Sequence, residues 1–186
     1  MDTSTQHVIQ QTKNWVKEIV IGLNLCPFAA RPFNDNTIDY IVASTQDEKS
    51  AIEQHLHQLA DCFSKLDNSA EIDTCLLIFP ETYDQFDDYL ELLDLSNLLL
   101  DDLHYSGIYQ LASFHPQYLF DDSKEDEAST FTNRSPYPML HIIREIDLEK
   151  AIANYPDVEE IPENNIKKLH EIVFEEMQNR FKKFLN

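Results

Sequence analysis

Two glycines in 186 residues, Gly22 and Gly107, restrict this chain more than any other feature of its sequence. Sites built on glycine-rich loops need small residues where the backbone must approach a phosphate or turn sharply. With two isolated glycines there is no phosphate-binding P-loop, no dinucleotide fingerprint and no GxSxG nucleophile elbow. The usual glycine-built nucleotide cradles are excluded.

Those periodic elements alternate. Thr5 to Leu25 reads as a helix, with Val8, Thr12, Trp15, Ile19 and Leu23 on one face, and Pro27 stops it. Thr37 to Ser44 has the β-branched and aromatic bias of a strand, and Asp47 is placed to cap a helix reaching Leu66. Asp73 to Phe79 is a near-continuous apolar run ending at Pro80, the pattern of a strand buried on both faces. The Leu-rich segment Tyr83 to Leu103 reads as a helix that is either deeply buried or half used in self-association, and Gly107 to Phe114 as a third strand. Tyr137 to Glu145 is either a fourth strand or the opening turns of a helix, and Pro162 to Phe184 is a C-terminal helix. Each strand-to-strand connection is long enough for a right-handed crossover. The expectation is a single-domain α/β protein: a small layered fold with a short, mainly parallel sheet flanked by helices, and helical N- and C-termini. Residues 121 to 132, acidic and rich in Ser and Thr, read as a mobile loop.

Composition narrows the partners. Fourteen Lys and Arg against 34 Asp and Glu give a formal charge of −20. Such a surface repels nucleic-acid phosphates and anionic lipid heads, so no nucleic acid and no membrane are expected as partners. The N-terminal residues lack a basic start followed by an apolar core, and no run approaches bilayer-spanning length, which reads as cytoplasmic. Cys26, Cys62 and Cys75 form an odd set without CxxC spacing, against both a disulfide framework and a thiolate zinc site.

Chemistry-bearing residues concentrate between Phe114 and Glu145, which holds two His and two of the four Arg. Ligands of open parallel sheets sit beyond the carboxyl ends of the strands, which places His115 as a candidate general acid or base. Its simpler reading is a histidine bonded to the turn backbone beside Pro116. Arg134, in the Pro-stiffened run Asn133 to Pro138, suits bidentate binding of a carboxylate or phosphate, or else pairs internally with Asp121, Asp122 or a loop acid. His141 shares a face with Glu145, and also with Arg144 if the segment is helical; between Leu140 and Ile142 it also suits a core position. Cys26, five residues before Arg31, is a candidate nucleophile, although a helix C-terminus disfavours a thiolate. His115, Asp121 or Asp122 and His141 would make a two-His-one-carboxylate set, but the spacing matches no metal motif, and no metal or cofactor is assigned.

Three blocks carry a resemblance: Gly22 to Ala29 (GLNLCPFA), Phe114 to Tyr118 (FHPQY), and Asn133 to His141 (NRSPYPMLH) with Arg144-Glu145. Together they resemble the hallmark blocks of domain-of-unknown-function family 1415, a mainly bacterial family, over almost the entire chain. The resemblance implies a stand-alone soluble protein. It brings no assigned activity, so no role carries over; Cys26, His115, Asn133, Arg134, Tyr137, His141 and Arg144 fall within its blocks. The expected function is a small enzyme that binds an anionic small molecule in one cleft built from the three blocks. There His115, Cys26 and His141 would be catalytic, and Arg134, Arg144, Asn133, Tyr137 and Arg31 would hold the ligand. The alternative is a non-catalytic interaction or regulatory module with an acidic surface, with a homodimer through the 83–103 helix as a further expectation.

Overall fold

The computed structural model of the protein describes residues 3–47, 50–121 and 123–184. Four strands, β1 (Ile38–Val42), β2 (Thr74–Ile78), β3 (Tyr109–Phe114) and β4 (Met139–Arg144), form one sheet in the order β1-β2-β4-β3. β1 and β2 pair in parallel, whereas β4 is antiparallel to both β2 and β3. The α/β expectation stands, but the sheet is mixed and not mainly parallel. The helical crossovers do leave β1, β2 and β3 pointing the same way. After β3 the chain turns back and wedges β4 between β2 and β3. The segment 137–145 is therefore strand up to Arg144, followed at once by helix α5 (Glu145–Ala153).

The reason β4 takes the centre is its side chains. Met139, Leu140 and Ile142 are fully buried, and a strand with apolar residues on both faces is stable only with a layer on each side. β2 is the same, buried at all five positions. Strand alternation sends Leu76, Ile78 and Met139 to one layer, with α1 (Thr3–Trp15), the short α2 (Ala30–Asp35), α6 (Ile161–Ile172) and α7 (Phe174–Phe181). Cys75, Leu77, Leu140 and Ile142 go to the other, with α3 (Ala51–Asn68) and α4 (Phe86–Asp102). Each fully buried Leu, Ile or Phe contributes roughly 1.5–3 kcal/mol.

Three segments depart from the sequence expectation. The first helix does not run evenly to Leu25; it passes at Val16 into a π-helical stretch, Val16–Ile21, with Gly22 N–H reaching Lys17 O (3.0 Å). A Cβ at Gly22 would run into the Glu18 carbonyl, so the close winding demands glycine there. The C-terminal helix breaks at Val173, whose φ of 62° no helix accommodates, and Ile166 and Val173 point outward. The break lets both Phe174 and Phe181 pack on Phe131. The supposedly mobile acidic loop contains a 3-10 turn, Ala128–Thr132, whose Ala128 to Phe131 are buried; Asp122 lies outside the described residues. Asp47 is not the N-cap of α3; Ser50 is. Among the described residues no helix is long and apolar enough to cross a membrane.

Candidate functional site

The three blocks singled out in the sequence separate into two regions. The FHPQ turn and Arg134 meet at the carboxyl end of β3, beside the start of α4. The LCPF turn lies under the first helix, against the amino ends of β1 and β2, together with His141.

At the first region, the chain's own backbone takes up both ring nitrogens of His115, the Asn133 amide N–H and part of the Arg134 guanidinium. His115 is fully buried, and its Nδ1 accepts the Gln117 N–H (3.0 Å). Its Nε2 therefore carries the proton and donates to the Tyr83 carbonyl (2.8 Å). Both ring nitrogens are spent on backbone, and burial lowers the imidazole pKa below its ordinary value, against the pull of Tyr83 O and Asp84. His115 thus fixes a turn, the simpler of the two sequence readings, and Tyr83 is held at φ 64° beside it. Asn133 Nδ2 donates to Ser113 O (3.0 Å), its carbonyl accepts His115 N–H (3.1 Å), and the Tyr137 hydroxyl bonds Gln11. Arg134 lies over the Phe131 and Phe174 rings and donates to the carbonyls of Tyr118 (3.3 Å) and Glu125 (3.1 Å). It binds the acidic loop by its backbone, and no carboxylate among the described residues pairs with it. A cleft of about 640 Å³ adjoins it, lined by the start of α4 and by Phe174 and Gln178, with the acids Asp87, Glu125 and Asp126 on its walls.

Arg144 is likewise engaged. Its guanidinium donates to the Tyr109 hydroxyl (3.0 Å) and to the carbonyls of Leu66, Ser69 (3.3 Å) and Ile72 (3.2 Å). A cation on the last carbonyls of α3 satisfies orphan acceptors and complements the helix dipole. The Tyr109 and Tyr105 hydroxyls close the network by donating to Asp67 (2.7 and 2.6 Å), whose carboxyl pKa they hold below the ordinary range.

The second region has capacity to spare. A cavity of about 400 Å³ lies between the first helix, the LCPF turn, the sheet and α5. Most of its wall is apolar, including Trp15, Val20, Phe28, Ile38, Leu76 and Phe114. The π-helical stretch supplies Val16 and Val20, and the tighter register of an α-helix would present a different set. Cys26, Thr74 and His141 are among the few polar groups on the wall, and the Arg31–Asp73 pair (3.1 Å) borders it with Arg31 exposed.

The protonation of His141 follows from its neighbours. Thr74 Oγ1 lies 2.6 Å from the Ile142 carbonyl, which only accepts, so the hydroxyl proton is committed there. Nε2 of His141, 2.7 Å from the same oxygen, must therefore be the donor. Nδ1 is left as a lone pair with no partner among the described residues. Loss of solvation pushes the imidazole pKa down to about 4, so the ring is neutral at neutral pH. Burial also raises the Cys26 thiol above its ordinary pKa, only partly offset by the Phe28 and Ala29 N–H groups. The indole N–H of Trp15 is buried without an acceptor.

Of the candidate residues, the structure brings Cys26, Arg31, His141 and Arg144 to the cavity wall, and sets His115, Asn133 and Arg134 apart from them. His115 packs against Phe86 and Tyr89 of α4, whereas His141 faces the cavity, so the two do not join in a metal set. Sequence reasoning missed Thr74 and Trp15. A threonine opening an otherwise apolar strand was the available signal for the first.

No curated protein and no solved structure matches the chain. Residues 7–179 match the family model described as Protein of unknown function (DUF1415), which spans almost the whole sequence and all three blocks, and the chain belongs to that family.

Proposed function

We propose that this protein binds a small molecule of largely apolar character in the cavity beneath the first helix. The observation that supports the reading is that a cavity of ligand size, about 400 Å³, has an apolar wall on which both reactive side chains, Cys26 and His141, are held uncharged. A nucleophile needs a thiolate, and a general base works best with a pKa near the operating pH; burial moves both groups away from those conditions. Binding is thus favoured over acid–base or covalent catalysis, and an apolar body over a small anion. Trp15 is the only tryptophan and lines the cavity, so its fluorescence reports occupancy. Titration with decalin, a compact hydrocarbon, is expected to change that fluorescence saturably and to raise the melting temperature. Ala151→Phe, which fills the cavity from α5, is expected to abolish both effects. Absence of a saturable change in either readout overturns the reading.

A second reading is an interaction module. α4 buries Tyr89, Leu92, Ser96 and Leu100 but leaves Leu98 60% exposed, with Leu103 and Ile108 also outward. Light scattering tests self-association through this face: a dimer mass that Leu98→Glu reduces to a monomer supports it, and a monomer mass throughout removes it.

A further inference from the structure

We infer that the ligand of this cavity carries a neutral hydrogen-bond donor, a hydroxyl or an N–H, which it presents to Nδ1 of His141. The inference rests on the cavity being a binding site and goes on to name the chemistry of the ligand's polar end.

The chain of donors fixes it. The Ile142 carbonyl takes the Thr74 proton, Thr74 Oγ1 takes the His141 Nε2 proton, and Nδ1 remains an acceptor. Thr74, on the cavity wall itself, acts as a positioning residue through His141: its proton is committed to the Ile142 carbonyl, and its oxygen selects the tautomer. A carbonyl, ether or carboxylate brings only lone pairs to Nδ1, and lone pair against lone pair is repulsive. An ammonium would donate, but a charge in a mostly apolar cavity loses solvation, and the carboxylates on its border are already engaged, Asp73 by Arg31 and Asp147 by Lys150. What suits Nδ1 is an alcohol, phenol or N–H heterocycle with an apolar body; the unpaired Trp15 N–H on the same wall is a donor and suits an acceptor elsewhere on the ligand. Arg31 borders the cavity from the solvent side, its side chain 71% exposed and one N–H donated to Asp73 (3.1 Å), so a group bound there lies outside the apolar wall. Asp73 in turn accepts the Thr37 hydroxyl (2.7 Å).

Decalin, decalol, decalone and decalin carboxylate share one carbon skeleton and differ in the polar group, so together they separate the two readings. With Trp15 fluorescence as readout, decalol is expected to bind about five- to tenfold more tightly than decalone, the gain from one neutral hydrogen bond. The carboxylate is expected to bind most weakly. The decalol-to-decalone ratio should fall to about one or below in Thr74→Val, where the tautomer is no longer selected, and recover in Thr74→Ser. His141→Leu should also erase the ratio while decalin itself still binds. If no member of the series binds, the cavity reading fails. If decalin and decalone bind as tightly as decalol, or if the carboxylate binds best, the cavity reading stands and this inference is overturned. A ratio unchanged in Thr74→Val, with the variant folded, overturns the role of Thr74 in setting it.

Discussion

The two regions that hold this protein's histidines and arginines use them oppositely. Beside β3, His115, Asn133 and Arg134 are rich in chemistry, and each of the three side chains is bonded to a backbone carbonyl or N–H. Beneath the first helix polar groups are few, yet two of them, Nδ1 of His141 and the Trp15 N–H, have no partner among the described residues. A density of His, Arg and Pro marks a segment that needs fixing in place, because such a segment lacks the regular hydrogen bonding of a helix or strand. A ligand site is marked instead by capacity left over after the fold has taken its share.

The sharpest way to break this contrast is to remove each histidine. His115→Ala leaves the Tyr83 carbonyl and the Gln117 N–H without partners in a buried site and opens a void beside Phe86 and Tyr89. A loss of about 3 kcal/mol in denaturant unfolding is expected, with the decalol-to-decalone preference intact in whatever remains folded. His141→Leu should shift stability by less than about 1 kcal/mol, since an apolar wall gains an apolar side chain and loses one bond to Thr74, while erasing the preference. Equal stability losses in the two variants would mean that both histidines are structural.

How far the sequence reached follows the same division. β2 was legible because TCLLI is apolar at four of five positions and needs cover on both faces. The three strands sharing a direction were legible because their connections carry helices. The central place of β4 was not, since periodicity reports which face a residue takes and says nothing of which strand lies alongside. The π-helical winding and the break at Val173 were hidden too; both suit the packing of distant partners, Asn165 bonding the Leu25 carbonyl (2.7 Å) and Phe174 meeting Phe131. Thr74 and His141 are 67 residues apart, and nothing local to either announces the bond that sets the tautomer. For His115 the simpler reading was available from Pro116 alone.

A smaller effect, in acid, sharpens the contrast between the charges the two regions exclude. An unfolded imidazole takes up its proton near pH 6.5, whereas folded His141 resists until about pH 4, and burial lowers the pKa of His115 and His55 as well. Between those values the unfolded state binds more protons, so stability falls as pH drops through that window and is full above it. The His141 share is at most about 3 kcal/mol. His141→Leu should flatten the loss between pH 6.5 and 4 without touching the part due to His115 and His55. An unchanged slope would show that the His141 ring is solvated and that the cavity is wetter than its walls imply.

The smallest effect expected is on Cys26, and it bears directly on whether the cavity is inert. Cys62 and Cys75 are buried to about 1% exposure, whereas Cys26 is only partly covered and borders the cavity, so it should be the one cysteine that iodoacetamide reaches in the folded protein. Alkylation requires the thiolate, and burial holds the Cys26 thiol protonated more firmly than an ordinary cysteine, with the Phe28 and Ala29 N–H groups opposing but not reversing this. Labelling followed by peptide mass spectrometry should therefore be several-fold slower than for the same cysteine in denaturant at neutral pH. It should rise about tenfold per pH unit, because the pKa lies above the range scanned, and slow further with decalin in the cavity. Labelling faster than in denaturant would mean that the two amides and Arg31 outweigh desolvation. Cys26 would then be a nucleophile in a binding pocket, and the region with fewer polar groups would also be the reactive one.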